Sequence, residues 1–308
     1  MKLNYYDLIF TYQPHTHVEL PDYIGSTFRG AFGHALKKTV CVNPAMECSD
    51  CPLAEQCLYL YAFETTRSKS DPAPFPGLNE IPHPYIIQPL PGSSGATRSS
   101  GNIQIGVKLF GPLTDALMIL FQAMSALGKI GIGKGKIKMD ILELHDAPTG
   151  ELIYTSETSW HHTPPLHQFE LLDSHKESDI ILELQTPLRL PKLGQNPENL
   201  DAAVFILSLL RRFQIMVFYF GLDFSKIEMN VIRLDIEKLI FKTNLRYEKR
   251  YRYSNRQHKK IPLHGFVGNI EFSKVSPFIR ALLQAGKVIN IGKGAVMGLG
   301  NYKLVERK

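Results

Sequence analysis

Every cysteine of the chain falls in one short stretch, as Cys41, Cys48, Cys51 and Cys57, with the spacing C-x6-C-x2-C-x5-C. Four thiolates so close in sequence can surround one tetrahedral ion. Zinc is the expected occupant, with an iron–sulfur cluster and unliganded thiols as the alternatives. Four protein ligands leave no coordination position open, so the expected role is structural, tying the end of one element to the start of the next. Disulfides are the poorer reading. The N-terminus, MKLNYYDLIFTYQP, has neither the unbroken apolar core nor the small-residue cleavage site of a secretory signal, and a cytoplasmic, reducing location is expected.

Two other stretches share a glycine phrase. GKIGIGKGKIKMDIL, from Gly128, and GKVINIGKGAVMGLGNYKL, from Gly286, both contain IGKG. Glycine-rich turns expose backbone N–H groups to phosphate, yet the spacing excludes the nucleotide loops. A Walker loop needs GxxxxGK before Ser or Thr, and a dinucleotide fingerprint needs a third glycine where Lys136 and Met297 stand. Both phrases also lead from a helical pattern into a strand pattern, the reverse of the order in nucleotide folds. Two readings remain. Bare backbone can approach a polynucleotide closely at Gly292, Gly294, Gly298 and Gly300, with Lys134 and Lys293 adding charge, or the glycines can make a tight turn that packs a helix on a strand.

Charge narrows the choice of partner. The 308 residues carry a formal net charge of +6, and KTNLRYEKRYRYSNRQHKK, from Lys242 to Lys260, holds eight Lys or Arg against one Glu, which leaves −1 for the rest of the chain. Basicity concentrated in this way points to a polyanion site. Read as one strand, Leu245, Tyr247, Lys249, Tyr251 and Tyr253 share a face, and Arg246, Glu248, Arg250 and Arg252 share the other. Rings on one face can stack on unpaired bases while Arg246, Arg250, Arg252, Arg256, Lys259 and Lys260 meet phosphate. The plain alternative is a solvated ribbon whose tyrosines cover the core.

The elements that must position these residues follow an α+β order. LNYYDLIFTYQ alternates as a strand, and PDYIGSTFRGAFGHALKKTV follows as a helix with Ile24, Phe28, Ala31, Ala35 and Thr39 on one stripe. LYLYAFET reads as a strand, residues 67–101 as a long Pro-, Ser- and Gly-rich loop, GNIQIGVKLFG as a strand, LTDALMILFQAMSALGK as a helix and KIKMDILEL as a strand. That order is βαββαβ. The second half repeats it: SDIILELQTPLRL as a strand, 199–221 as a helix, one or two hairpins between Lys226 and Tyr253, HGFVGNIEFS as a strand, PFIRALLQAG as a helix and a last strand after the second glycine phrase. The expected architecture is two tandem ferredoxin-like (RRM-like) domains, 1–172 with a cysteine-rich insertion at 41–57, and 173–308 with the glycine-rich loop. AAVFILSLLRRFQIMVFYFGL is apolar enough to suggest a membrane span, but Arg211 and Arg212 stand mid-segment, where each costs roughly 3 kcal/mol in a bilayer.

Tandem domains of this kind, the terminal GxG…GxG loop, and the approach RYSNRQHKKIPLHGFVGNIEFS resemble the RAMP superfamily of CRISPR-associated RNA-binding proteins, and within it the pre-crRNA-processing endoribonucleases. FRGAFGHALKKTVC, CSDCPLAEQCLYLYAFE and PHPYIIQPL in the first half are similar to the same group. The resemblance implies RNA cleavage without a catalytic metal, in which a ribose 2′-hydroxyl attacks the adjacent phosphate to leave a 2′,3′-cyclic phosphate and a 5′-hydroxyl. It also implies that the acid–base groups lie on or just before the first helix of the first domain. His34 fits that place, with Lys38 one turn on to attract phosphate and Tyr23 and Thr27 on the same stripe. His15 and His17 are the rivals, and His258 and His264 flank the basic run as RNA contacts. The expected partner is CRISPR repeat RNA. The alternative function is a non-catalytic RAMP subunit that binds crRNA inside an effector complex.

Overall fold

The structure, a computed structural model, describes residues 1–16, 21, 23–65, 75, 77, 78, 80–90, 101–133, 135–172, 178–190, 194–225, 227, 229–254 and 258–307. The chain divides into two compact units, 4–167 and 168–308, with residues 1–3 counted in the second.

In the first unit, strand β1 (Lys2–Pro14) buries Tyr6, Leu8, Phe10 and Tyr12, the alternation a half-covered strand demands. It pairs antiparallel with β3 (Ile103–Phe110) and β4 (Met139–Asp146), and β2 (Tyr85–Pro89) pairs with the outer edge of β3. The order β2-β3-β1-β4 is that of a ferredoxin-like sheet, extended past β4 by β5 (Leu152–Thr155) and β6 (Ser159–Trp160). Helices α1 (Ile24–Val40) and α3 (Leu117–Ile130) pack together; the Tyr12 hydroxyl donates to the Met124 carbonyl at 3.1 Å and its ring meets Phe28 at 5.6 Å.

Two local expectations are overturned here. LYLYAFET is not the second strand: Leu58–Phe63 is helix α2, and the second strand is Tyr85–Pro89. A helix sets Tyr59 and Phe63 four residues apart on one face, where their rings stack at 5.5 Å, and the Arg29 guanidinium lies 4.4 Å over Phe63 while the Lys37 ammonium lies 5.6 Å over Tyr59. Each such contact contributes about 0.5–2 kcal/mol, and a strand would lose both. The buried stripe of α1 is also rotated: Ile24, Phe28, Phe32, Ala35 and Leu36 face inward, and Thr39 is exposed. Phe32 decides the rotation by meeting Tyr85 edge-on at 5.3 Å. The greater part of the 67–101 loop lies outside the described residues.

The second unit repeats the plan. Strand β8 (Ser178–Leu188) lies between β12 (Gly265–Val275) and β13 (Tyr302–Arg307), and β9 (Ile240–Glu248) pairs with the far side of β12, all antiparallel. Its helices α4 (Ala202–Phe220) and α6 (Pro277–Ile289) pack together over a core that includes Phe205, Phe213, Phe266 and Phe272. By length and composition α4 could cross a membrane, but it is a core helix, with its apolar face buried in this unit. The span from Lys226 to Tyr253 is not hairpins alone. It opens with helix α5 (Met229–Lys238), which buries Ile232, and only then enters β9. Strands β10 (Tyr251–Ser254) and β11 (Lys259–Pro262) form a separate two-stranded ribbon. Residues 1–3 join this unit because Lys2 and Leu222 exchange backbone bonds of 3.0 and 2.8 Å and the Met1 carbonyl accepts from Leu171; the segment that supplies Leu171 begins as β7 (His167–Glu170).

Glycines 30 and 33 of α1 should respond oppositely to the same change. A Cβ on Gly33 would run into the Phe63 ring, whereas one on Gly30 meets nothing within 4 Å. Gly33→Ala is expected to lower unfolding stability by about 1–3 kcal/mol through overpacking, and Gly30→Ala to raise it by up to about 1 kcal/mol through helix propensity. Urea denaturation midpoints of the two variants would show it.

Candidate nucleic-acid interface

On the solvent side of α1, Gly30, His34 and Lys38 are all exposed, one turn apart each time. The absence of a Cβ at Gly30 leaves the stripe open in front of His34. Tyr23 does not belong to it. It sits at the N-cap of α1, only 2% exposed, so the expectation that it shares a reactive stripe with His34 fails on burial, and Thr27 is half-buried. Of the rivals, His15 bonds Asp140 at 2.7 Å, and His17 lies outside the described residues.

Sequence reasoning missed a second constellation on the same helix. Arg29 reaches His83 at 3.4 Å, and His83 donates through Nδ1 to the Ala62 carbonyl at 2.9 Å. The two residues are 54 apart in sequence, so no spacing rule could have joined them. Beside them, burial pushes the Tyr85 phenol well above its ordinary pKa, with the Arg29 charge opposing that rise.

The cysteines are not gathered. Cys41 caps the C-terminus of α1, Cys57 is the N-cap of α2, and two 3-10 turns, Cys48–Asp50 and Ala54–Gln56, hold the chain between them. Among the described residues no group of three His, Cys, Asp or Glu side chains is placed to hold a metal ion, so this arrangement does not fit the tetrahedral zinc site expected from the spacing. The Cys48 sulfur instead lies beside the Lys37 ammonium and raises its pKa.

In the second unit the glycine phrase is first of all a turn. Gly292, Gly294, Gly298 and Gly300 all have positive φ, from 67° to 86°. At Gly300 a Cβ would run into the Ile291 carbonyl, so only glycine closes the turn from α6 into β13. The turn is pinned to the end of β8: the Gly300 N–H donates to the Pro187 carbonyl at 3.1 Å, the Lys293 N–H to Arg189 at 2.8 Å, and the Thr186 hydroxyl to the Gly298 carbonyl at 2.7 Å. Gly298 and Gly300 are buried, which removes them as RNA contacts; Gly292, Lys293 and Gly294 keep surface. The first phrase is likewise a turn, with positive φ at Gly131 and Gly133 and paired bonds of 3.0 Å between Ile132 and Ile137; Lys134 lies outside the described residues.

Arg212 of α4 holds this turn from beneath. Its guanidinium donates to the Ile289 and Asn290 carbonyls at 2.8–3.0 Å, filling the open acceptors at the C-terminus of α6. Burial pulls its pKa down to about 10, so it remains charged at neutral pH.

The basic run is divided by structure. The face alternation stops at Glu248, because Lys249 and Arg250 turn the chain from β9 into the β10–β11 ribbon. Arg246 of β9 and Lys259 and Lys260 of β11 are exposed, as is Lys249, while Arg252 is half-buried and Arg250 is tied to Glu248. Arg256 lies outside the described residues. Tyr251 and Tyr253 are 55% and 60% exposed on one face of the ribbon, with Lys260 directly opposite Tyr253. Tyr251 meets the His264 ring at 4.5 Å, and His264 also accepts the Arg250 N–H at 2.9 Å, which fixes the ribbon to its root. His258 is exposed near the turn.

Known proteins share this architecture. Residues 182–302 match the family model of the CRISPR-associated endoribonuclease Cas6, and residues 3–166 match the model of the AF_1859_N N-terminal domain. An uncharacterized protein of Archaeoglobus fulgidus is 26% identical over 296 residues, covering 95% of this chain and 94% of its own. A Cas6 product complex superposes with a TM-score of 0.57 at 15% identity, covering 99% of this chain and all of that one. A partial Cas6-RT-Cas1–Cas2 complex gives 0.59 at 12%, where this chain spans 46% of the longer one. At these identities the structural likeness establishes the fold. The chain belongs to the family defined by the AF_1859_N domain, its second half is similar to the Cas6 domain over 182–302, and the resemblance to CRISPR-associated RNA-processing endoribonucleases is borne out.

Replacing Arg212 with Met should cost roughly 2–3 kcal/mol, the scale of hydrogen bonds to a charged group left unmade. Hydrogen exchange should then accelerate in α6 and β13 more than in β1 to β4, which would locate the damage at the glycine turn.

Proposed function

We propose that the chain cuts CRISPR repeat RNA by attack of a ribose 2′-hydroxyl on the adjacent phosphate, without a catalytic metal, leaving a 2′,3′-cyclic phosphate and a 5′-hydroxyl. The observation that carries this reading is the open stripe of α1, where His34 and Lys38 are exposed one turn apart beside a glycine that obstructs nothing. An imidazole there can take the 2′-hydroxyl proton or protonate the departing 5′ oxygen, and the Lys38 ammonium can offset the charge that builds on the phosphorane oxygens. The nucleophile belongs to the RNA, so the protein supplies only proton transfer, orientation and charge. The Cas6 match supports RNA as the substrate. Such an RNA is met in the cytoplasm, where the protein acts alone or within an effector complex.

The β10–β11 ribbon and the neighbouring cations supply affinity in this scheme. Lys259, Lys260, Arg246 and Lys249 neutralise phosphates, and Lys293 adds one more charge at the glycine turn. A second reading, a crRNA-binding subunit that does not cut, is favoured by one observation: with Tyr23 buried, the described stripe offers His34 a single neighbouring proton-transfer group, Lys38.

His34→Ala should slow single-turnover cleavage of repeat RNA by roughly 10²- to 10⁴-fold with RNA affinity nearly unchanged, EDTA should not inhibit, and the product should carry the cyclic phosphate. Wild-type protein that binds the repeat and never cuts it would hand the function to the subunit reading.

Affinity has its own signature. Changing Lys259 and Lys260 together to Ala should weaken RNA binding and reduce the slope of log K against log salt by about 1.4, some 0.7 per phosphate contact on a single strand. Arg250→Ala should change that slope less, because Glu248 already pairs with it. Fluorescence anisotropy across a salt series measures both.

A further inference from the structure

The first unit has a cavity that shares no residue with the α1 stripe. It measures about 470 Å³ and opens between the N-terminal turn of α3 and the segment that follows β6. Small-molecule pockets span roughly 300–1,000 Å³, so a nucleobase with its ribose fits. Its walls mix apolar and polar groups: Trp160, Leu117 and Met118 of α3 and Tyr6 of β1 supply the apolar surface. Trp160 is held in place by Phe121 at 4.8 Å and Tyr154 at 5.8 Å, both near 60° to its plane, yet it stays half-exposed, and Met118 is 50% exposed. Among the residues that line it, Asp115 is the one carboxylate, and His162 is already bonded to Glu151 at 3.1 Å. The Asp115 carboxylate is exposed, and among the described residues no cation pairs with it. It lies close enough to Tyr6 to add to the effect of burial in raising that phenol's pKa. His161 stands beside Trp160, its Nε2 3.1 Å from the Thr158 hydroxyl.

A carboxylate accepts hydrogen bonds and donates none, so it selects a ligand with adjacent donors. Among the four RNA bases only guanine offers two neighbouring N–H groups, N1–H and the N2 amino group, along one edge. Adenine and cytosine place a lone-pair nitrogen beside their amino group, and uracil sets its one donor between two carbonyls. Reading an extruded base by its Watson–Crick edge while stacking it on an aromatic ring is a general mode of RNA recognition.

We infer that this cavity binds one unpaired guanine of the RNA, its ring against Trp160 and its N1–H and N2 amino group donating to Asp115. The inference rests on the RNA reading above, because an arginine side chain of a partner protein would satisfy the same carboxylate and rings. It makes the cavity a sequence-reading subsite separate from the cleavage stripe.

Trp160 is the chain's single tryptophan, so its emission reports this cavity alone. The full chain is titrated with guanosine, inosine and adenosine 5′-monophosphates and with L-argininamide, with inner-filter correction. Guanosine monophosphate should give a saturable change with a Kd in the millimolar range or tighter, adenosine monophosphate should bind at least about tenfold more weakly, and inosine monophosphate, which lacks the amino group, should fall between. Asp115→Asn should abolish the preference while circular dichroism confirms the fold. Equal affinities for the guanosine and adenosine nucleotides, a preference that survives Asp115→Asn, or no saturable change would overturn the site. A response to L-argininamide alone would overturn it in favour of a protein contact. Because free nucleotides are the probes, this result is independent of whether the protein cuts RNA.

Discussion

The second unit turns on one unusual contact, a guanidinium set into the end of a helix. The last carbonyls of any α-helix lack N–H partners, and at the C-terminus of α6 those of Ile289 and Asn290 face Arg212. A cation there answers both the open acceptors and the negative end of the helix dipole. The chain can therefore leave α6 abruptly, through Asn290 at a φ of 54°, and return to the sheet as β13 after a short turn. The glycines follow from that geometry. Asn290 ties the two ends of the turn together, its amide donating to the Leu299 carbonyl at 3.2 Å, and the bonds to Thr186, Pro187 and Arg189 lock the turn onto β8.

The first unit meets an equivalent problem with aromatic rings. Helix α2 has only six residues and cannot stand alone, since isolated helices of that length are unstable in water. It is held to α1 by two cations laid on two stacked rings, Arg29 on Phe63 and Lys37 on Tyr59, and Gly33 lets the Phe63 ring approach the α1 backbone. Those contacts, together with Phe32 against Tyr85, fix the rotation of α1. With the rotation fixed, His34 and Lys38 are held toward solvent on a rigid element, the positioning that the proposed proton transfer needs. The cations thus divide into those that hold the fold, among them Arg29, Lys37 and Arg212, and those left exposed, such as Lys38, Lys259 and Lys260.

Much was determined by the chain's own periodicity. Strand and helix patterns alone yield βαββαβ twice, with the second strand of the first half misplaced at LYLYAFET, because alternation with period 2 and stripes with period 3.6 are local properties of side-chain direction. The exposure of His34 and Lys38 on a shared stripe, the concentration of charge in one segment and the place of each glycine phrase between a unit's second helix and its last strand are legible for the same reason. Tertiary structure decided the rest. LYLYAF suits a strand or a helix by pattern, and Arg29 and Lys37, which lie more than twenty residues upstream, settle it. The alternation of the basic run ends where the ribbon leaves β9, the last two glycines are buried by contacts with β8, Tyr23 is covered, and among the described residues the cysteines form no group of three placed for a metal ion. The cavity beside Trp160 draws on residues 6, 115 and 160, which only the packing of β1, α3 and β6 brings together. Sequence pattern encodes what each residue's neighbours along the chain require; which side chains meet across the core is a property of the closed fold.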